Sequence, residues 1–334
     1  MTIALAQTTG SVGTKILSVG SFRPARVVTN AEICARIDST DEWIQERSGI
    51  VERRWAGPDV SVVDMATAAA EKAMASSGIS AEALGMVIVA TVTHPYVTPS
   101  AAAEVQDRIG AANAASMDLS AACAGFSYAV ALASDLVRCG TCTHVLVVGV
   151  EKLSDWIDHD DRGTAFLFAD GAGAVVIGPS DVPGIGPVVW GSDGSQKEAI
   201  SMTQSFIDYR DVGGEIFPAI TMQGQQVFRW AVTEMSKAAQ AALDAAGITA
   251  DQLDAFIPHQ ANNRITDALV RALALPDTVA VARDITHMGN TSAASIPLAM
   301  DALLESGKAP RGGTALLIGF GAGLVFAAQV VTLP

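Results

Sequence analysis

Apolar and polar positions fall into alternating helix-like and strand-like runs. From Cys123 the apolar residues Phe126, Val130, Ala133 and Val137 recur at steps of three and four, one face of a helix that closes at Gly140. Residues 145–149 (VLVVG) then read as a buried strand, as do 116–119, 315–318 and 325–331. The pattern also repeats itself. Residues 72–88 (KAMASSGISAEALGMVI) resemble 241–257 (AALDAAGITADQLDAFI) at an offset of 169, pairing Gly78 with Gly247, Leu84 with Leu253 and Ile88 with Ile257. VLVVG matches ALLIG of 315–319 at an offset of 170, and each is followed by a glycine turn, Gly171-Ala-Gly173 or Gly321-Ala-Gly323, and another apolar strand. The first copy carries an extra segment over about 151–170. Helices over 123–140 and 290–307 align at an offset of 167 when Gly140 is set on Gly307, which places Cys123 opposite Asn290. Gly and Pro cluster at 179–187, so the expected division is an N-terminal half, 1–182, and a C-terminal half, 183–334. Alternating strands and helices predict a layered α/β architecture in which helices cover and separate mostly parallel sheets.

Composition narrows the function. The chain has 334 residues, half of them apolar and 5% aromatic, so small and aliphatic side chains must build its core. With 21 Lys+Arg against 35 Asp+Glu, the net charge of −14 argues against a dedicated nucleic-acid binder. An acidic partner would need a local basic patch. The N-terminal residues MTIALAQTTG lack the pattern of an export signal, and four cysteines are too few for a disulfide framework; the expected location is the cytoplasm. Residues 312–334 carry no charge and are long enough to span a membrane, yet Gly319, Gly321 and Gly323 interrupt them, predicting two strands around a turn instead.

Three residues combine into one chemistry. Cys123, in Ser120-Ala-Ala-Cys-Ala-Gly125, follows a strand and opens a helix, where backbone amides stabilise a thiolate; the bland alternative is an inert buried cysteine. His259 stands where a strand ends, the edge at which α/β sheets place their sites, although a lone histidine there is more often structural. Asn290 opens a helix and would ordinarily just cap it. The repeat brings these three toward one cleft. A thiolate can take an acyl group from a thioester, while His and Asn supply two neutral donors to a carbonyl becoming an enolate. A papain-like protease uses the same residue types, but no sequence context supports its arrangement. Cys139-Gly-Thr-Cys142 with His144 lacks a second pair for zinc, and no metal is expected. Gly319-Phe-Gly321-Ala-Gly323 lacks the third glycine of a dinucleotide fingerprint and suits close approach of backbone amides to a ligand. His94, His159 and His287 have no partner at motif spacing and are expected on the surface or in loops. Trp43 and Arg47 share a helix face, for packing or for stacking a purine and holding its phosphates.

Six ordered motifs carry a family resemblance: Asp41-Glu-Trp-Ile44, Ala121-Ala-Cys-Ala-Gly-Phe126, Asp161-Arg-Gly163, Pro258-His-Gln-Ala-Asn262, Gly289-Asn-Thr-Ser-Ala-Ala-Ser-Ile-Pro297 and Gly319-Phe-Gly-Ala-Gly323. Together they resemble β-ketoacyl-acyl-carrier-protein synthase III, the initiating condensing enzyme of type II fatty acid synthesis, with actinobacterial members nearest. The resemblance implies the thiolase fold, duplicated halves in a five-layered αβαβα arrangement, and a homodimer. It implies that Cys123 is acylated by an acyl-CoA and that His259 and Asn290 stabilise the enolate formed from malonyl-acyl-carrier protein. The backbone amides of Cys123 and Ala322 would form an oxyanion hole. Trp43 and Arg162 would sandwich the adenine of CoA, Arg47 would meet its phosphates, Gly224 and Asn262 would line the pantetheine channel, and Phe320 would gate the site. Arg229 and Arg264 would hold the acidic carrier protein. Acyl-CoA and malonyl-carrier protein are substrates, so no cofactor is implied. Thr98, at an acyl-pocket position supplied by the dimer partner, replaces the Phe of some members and implies branched or longer primers. The segment 194–217 is shorter than in close relatives. A thiolase would need a second catalytic Cys beyond Cys142, and elongating ketosynthases carry His where Asn290 stands. An acyl-loading homologue of secondary metabolism shares the triad, whereas a silent thiolase-fold binding protein would tolerate its loss.

Overall fold

Two five-stranded sheets built to one plan carry the chain, in a computed structural model that describes residues 3, 5–214 and 217–334. Met1, Thr2 and Ala4 of the N-terminal stretch, and Glu215 and Ile216 of the 194–217 segment, lie outside the described residues. In order come β1 (Gly13–Phe22), β2 (Arg26–Thr29), α1 (Asn30–Cys34), α2 (Asp41–Ser48), β3 (Glu52–Trp55), α3 (Val62–Ser77), β4 (Leu84–Ala90), α4 (Ala101–Arg108), β5 (Ala115–Leu119), α5 (Gly125–Arg138), β6 (His144–Lys152) and β7 (Asp170–Ser180). There follow β8 (Val189–Ser192), β9 (Ile200–Met202), α6 (Phe206–Val212), β10 (Ile220–Met222), α7 (Gly224–Ala246), β11 (Ala255–Pro258), α8 (Asn263–Ala272), β12 (Ala280–Val281), α9 (Ile285–Met288), α10 (Ser295–Glu305), β13 (Thr314–Gly321) and β14 (Val325–Thr332).

The sheet orders are β1-β7-β6-β4-β5 and β8-β14-β13-β11-β12, the same sequence of roles in each. Within each sheet β4 or β11, next to the edge strand, runs parallel to both neighbours, while the remaining two pairings are antiparallel. The sheets are therefore mixed rather than mostly parallel. β13 turns straight into β14, with Gly321 opposite Val325, and so short a connection can join only antiparallel strands. The uncharged C-terminal stretch is this hairpin, and no helix among the described residues is long and apolar enough to cross a membrane.

Between the sheets lie α5 and α10. The stripe Phe126, Val130, Ala133 and Val137 packs with Ile296, Ala299, Met300 and Leu303 of α10 and with valines, leucines and isoleucines of both sheets. On one outer face, α3 buries Ala66, Ala69, Ala70 and Ala73 against β1, β6 and β7. These small side chains bring the helix so near that a Cβ on Gly20 would lie 2.4 Å from the Ala73 nitrogen. α3 is held at its start by Ser61 and Asp64 in a capping box and at its end by Gly78 at φ 70°. On the other outer face, α7 and α8 cover the second sheet through Met235, Leu243 and Leu269. Helix, sheet, helix, sheet and helix make five layers. β6 and β7 lie in the interior of this stack, and their valine-rich sequences are buried on both faces.

The repeat register differs from that set by the closing glycines. Ala122 (φ 44°) and Ser292 (φ 48°) each open a short 3₁₀ turn, Ala122–Ala124 and Ser292–Ala294, that feeds α5 or α10. Their separation of 170 equals that of the VLVVG and ALLIG strands. α10 has 11 residues against 14 in α5, so the glycines that end them are out of register by that difference. Cys123 consequently stands opposite Ala293, not Asn290.

Candidate active site

Cys123 sits in the turn between β5 and α5, roofed by the end of β13. A Cβ on Gly321 would lie 2.8 Å from the Cys123 nitrogen and 3.2 Å from its sulfur, so only glycine lets this strand close on the thiol. Such enclosure decides the electrostatics. Burial pushes the Cys123 thiol up to about 12, and Glu151 adds to the rise. Cys123 lies in the 3₁₀ turn Ala122–Ala124, immediately before α5 begins at Gly125.

His259 follows β11, and its backbone N–H donates to the Ile318 carbonyl at 2.7 Å. Its Nδ1 lies 2.7 Å from Ser295 Oγ, which also accepts from the Gln260 N–H at 3.3 Å. A hydroxyl that accepts there can give its own proton to Nδ1, leaving the ring proton on Nε2. Phe320 packs edge-on against the imidazole at 5.2 Å. Burial pushes His259 down to about 3, so the ring is a neutral donor at physiological pH. Asn290 is fixed by its backbone N–H to Leu167 O at 2.9 Å, and its Oδ1 accepts from the Ser292 N–H at 2.8 Å. Its amide NH₂ is thereby the group left for a ligand.

All three side chains line one cavity of about 980 Å³. The same cavity takes in Trp43, Arg47, Arg162, Gly224, Arg229, Asn262, Arg264, Phe320 and Ala322. Thr98 is outside it, exposed on a loop whose neighbours Tyr96 and Val97 do reach the lining. The Arg162 guanidinium lies 4.4 Å from the centre of the Trp43 ring and that of Arg47 5.8 Å, so a planar group between Trp43 and Arg162 requires the arginine to lift. Asn262 caps α8 by accepting from the Arg264 N–H at 2.8 Å and donates to Arg47 O at 2.7 Å, tying α2 to α8. Arg47, Arg162, Arg229 and Arg264 are exposed, and none is in an ion pair among the described residues. They form a local positive rim on an acidic chain.

Of the histidines set aside from sequence, His287 is exposed and His159 packs on Trp55. His94 is on a loop as expected, but its side chain is only 6% exposed and lines the cavity. Sequence reasoning missed the apolar wall of Leu153, Trp156, Ile200, Met202 and Phe206. It also missed Ser292, Ser295 and Glu151. The one signal for Glu151 was an acid inside VLVVGVEK, a strand otherwise read as buried.

Comparison with known proteins places this geometry. Residues 117–194 match the 3-oxoacyl-[acyl-carrier-protein (ACP)] synthase III family and 243–333 match that family's C-terminal part. The chain is 57% identical over 325 residues to β-ketoacyl-[acyl-carrier-protein] synthase III of Streptomyces glaucescens, covering 97% of this chain and 98% of that one. It is 50% identical over 330 residues to the mycobacterial β-ketoacyl-[acyl-carrier-protein] synthase III of Mycobacterium avium, covering 99% and 98%. Among solved structures, the priming β-ketosynthase from the R1128 polyketide biosynthetic pathway superposes with a TM-score of 0.95 at 47% identity, covering 100% and 99%. The 3-oxoacyl-[acyl-carrier-protein] synthase III from Aquifex aeolicus does so at 0.88 and 38%, covering 96% and 100%. With identity running through nearly the whole length of both halves, the chain belongs to the β-ketoacyl-[acyl-carrier-protein] synthase III family.

Proposed function

We propose that the chain condenses an acyl-CoA primer with malonyl-acyl-carrier protein to give 3-oxoacyl-acyl-carrier protein, CoA and CO₂, initiating fatty acid synthesis in the cytoplasm. The observation that carries this reading is the meeting of one thiol and two neutral N–H donors in a single cavity with an apolar wall. Cys123 Sγ attacks the primer thioester, the N–H groups of Cys123 and Ala322 receive the carbonyl oxygen, and CoA departs. The malonyl thioester then places its carbonyl against His259 Nε2 and the Asn290 amide. Loss of CO₂ leaves its electron pair on an enolate that these donors hold, and the enolate carbon attacks the acyl-cysteine. A neutral imidazole serves this step better than a charged one, which would pair with the carboxylate and oppose its loss. Every bond is made from electrons the substrates bring, so no cofactor is required.

Leu153, Trp156, Ile200, Met202 and Phe206 supply the wall for the primer's acyl chain. Exposure of Thr98 outside its own chain's cavity suits a homodimer in which it completes the partner's pocket, and β5, at the sheet edge, leaves a hydrogen-bonding side free for pairing. A threonine there makes room, and isobutyryl-CoA is expected to prime the reaction in competition with acetyl-CoA. Product analysis showing strict use of acetyl-CoA would refute the wide pocket. For the carrier protein, Arg229 and Arg264 supply the basic patch, with Arg264 braced on Phe228 at 5.0 Å. Arg264→Glu should raise KM for malonyl-carrier protein on the order of tenfold while leaving loading of Cys123 by acyl-CoA unchanged. Equal loss in both steps would place Arg264 in CoA binding instead.

A further inference from the structure

Residues 166–169 form a short strap beside the site, with Phe166, Leu167 and Phe168 in the cavity lining. The Leu167 carbonyl accepts from the Asn290 N–H at 2.9 Å, and the Ala169 N–H donates to the Asn290 carbonyl at 2.9 Å, so the strap sets where Asn290 stands. The strap is itself held from β3. Arg53 Nη2 donates to the Phe166 carbonyl at 3.0 Å and Trp55 Nε1 to the Phe168 carbonyl at 3.1 Å. Arg53 and Trp55 are alternate residues of β3 and share its buried face. Gly289, at φ 71°, lies against the same arginine: a Cβ there would be 2.7 Å from Arg53 Cβ.

Arg53 is an expensive residue to keep in such a place. It is 0% exposed and in no ion pair among the described residues. Burial pushes it down to about 10, so it is charged at neutral pH. An apolar side chain of similar volume would avoid burying an unpaired cation, but it could not donate. Besides Phe166 O, the guanidinium donates to Val28 O at 3.0 Å and to Asn30 Oδ1 at 2.5 Å. Asn30, 2% exposed, donates in turn to Asp41 Oδ1 at 2.6 Å and Ile50 O at 2.8 Å. Asp41 opens α2, the helix bearing Trp43 and Arg47, and Trp43 packs edge-on against Phe166 at 5.4 Å. One guanidinium thus joins β2, α2 and the strap, and three acceptors suit its fork of donors rather than a single ammonium.

We propose that Arg53, assisted by Trp55, is a positioning residue for condensation: it fixes the strap and, through the strap, holds the Asn290 amide where the enolate oxygen forms. This rests on the condensing reading. Arg53 does not line the cavity and touches no substrate. Its influence falls on Asn290 rather than on the other two members of the site. Cys123 is carried by the turn before α5, and His259 by the end of β11 with bonds to Ile318 O and Ser295 Oγ; neither is hydrogen-bonded to residues 166–169. Displacing a donor by about an ångström costs on the order of 100-fold in rate, so a strap released from β3 slows the step that uses Asn290 and spares the one that does not.

The test measures the two half-reactions separately at saturating substrate: acyl adduct on Cys123 by intact mass, and 3-oxoacyl-carrier protein formed from malonyl-carrier protein. Arg53→Lys keeps the charge and loses the fork. It should slow condensation on the order of 10- to 100-fold and leave loading within a few-fold of wild type. In an Asn290→Ala background the same substitution should cost less than about threefold more, because the donor it serves is gone. Trp55→Phe removes only the Nε1 donor from Phe168 O and should act in the same direction by about a few-fold; it decides the matter if thermal melting shows that the lysine variant does not fold. The positioning role is overturned, while the condensing reading stands, if a folded variant condenses at the wild-type rate or loses loading and condensation alike. It is equally overturned if the Arg53→Lys loss multiplies in full onto that of Asn290→Ala, as a general weakening of the fold would. A wild-type protein that forms no adduct overturns both.

Discussion

Cys123→Ala should form no acyl adduct with any acyl-CoA, and condensation should fall on the order of 10⁴-fold or more. The expectation is this large because nothing substitutes for the sulfur. Cys34, Cys139 and Cys142 are free thiols, but none lines the cavity, and Cys139 is exposed beyond the far end of α5. The variant should fold, because an alanine keeps the Cβ that packs under Gly321 and removes only a half-buried sulfur. His259 and Asn290 remain in place, so slow release of CO₂ from malonyl-carrier protein should persist without condensation. Mass spectrometry of the intact protein checks the adduct. A +acyl species in the variant would move the nucleophile elsewhere.

The second large effect separates the two halves of the reaction. His259→Ala or Asn290→Ala should leave loading of Cys123 within a few-fold of wild type, because the oxyanion hole for that step is drawn from the backbone. Each should slow decarboxylative condensation by about 10²- to 10³-fold, the usual consequence of removing one donor from a developing oxyanion. Because both donors hold one oxygen, the double variant should lose less than the product of the single losses. Asn290→Ala also frees the Ser292 N–H, so Asn290→Asp, which keeps that acceptor but sets a carboxylate beside the malonyl carboxylate, is the sharper companion. Condensation at wild-type rate in either alanine variant, measured by appearance of 3-oxoacyl-carrier protein, would remove that residue from the enolate site.

Much of this fold and site is legible in the sequence itself. The stripe Phe126, Val130, Ala133 and Val137 is a core face because a 3.6-residue period projects it to one side. The repeat foretold two matching sheets, since the same run of hydrophobic periods folds to the same order. Strand direction, however, leaves no mark on periodicity, and the antiparallel β6–β7 and β13–β14 pairs went unseen. The register error between Cys123 and Asn290 arose because a helix's last turn shifts freely, whereas the positive φ of Ala122 and Ser292 fixes its start. The closing of β13 over the thiol at Gly321, nearly 200 residues away in sequence, left no local mark. Glu151 and Ser292 escaped for the same reason. Ser292 lies inside the Gly289–Pro297 motif but Glu151 lies in none, and their contact appears only where β6 and the turn before α10 touch.

A covalent acyl-Cys123 should form and be consumed by malonyl-carrier protein. Intact mass of the wild-type protein should show one acyl group added by isobutyryl-CoA, and this mass should vanish on adding malonyl-carrier protein as 3-oxoacyl-carrier protein and CO₂ appear in equal amount. An adduct that persists in the presence of malonyl-carrier protein, or one that transfers to the carrier without release of CO₂, would contradict it.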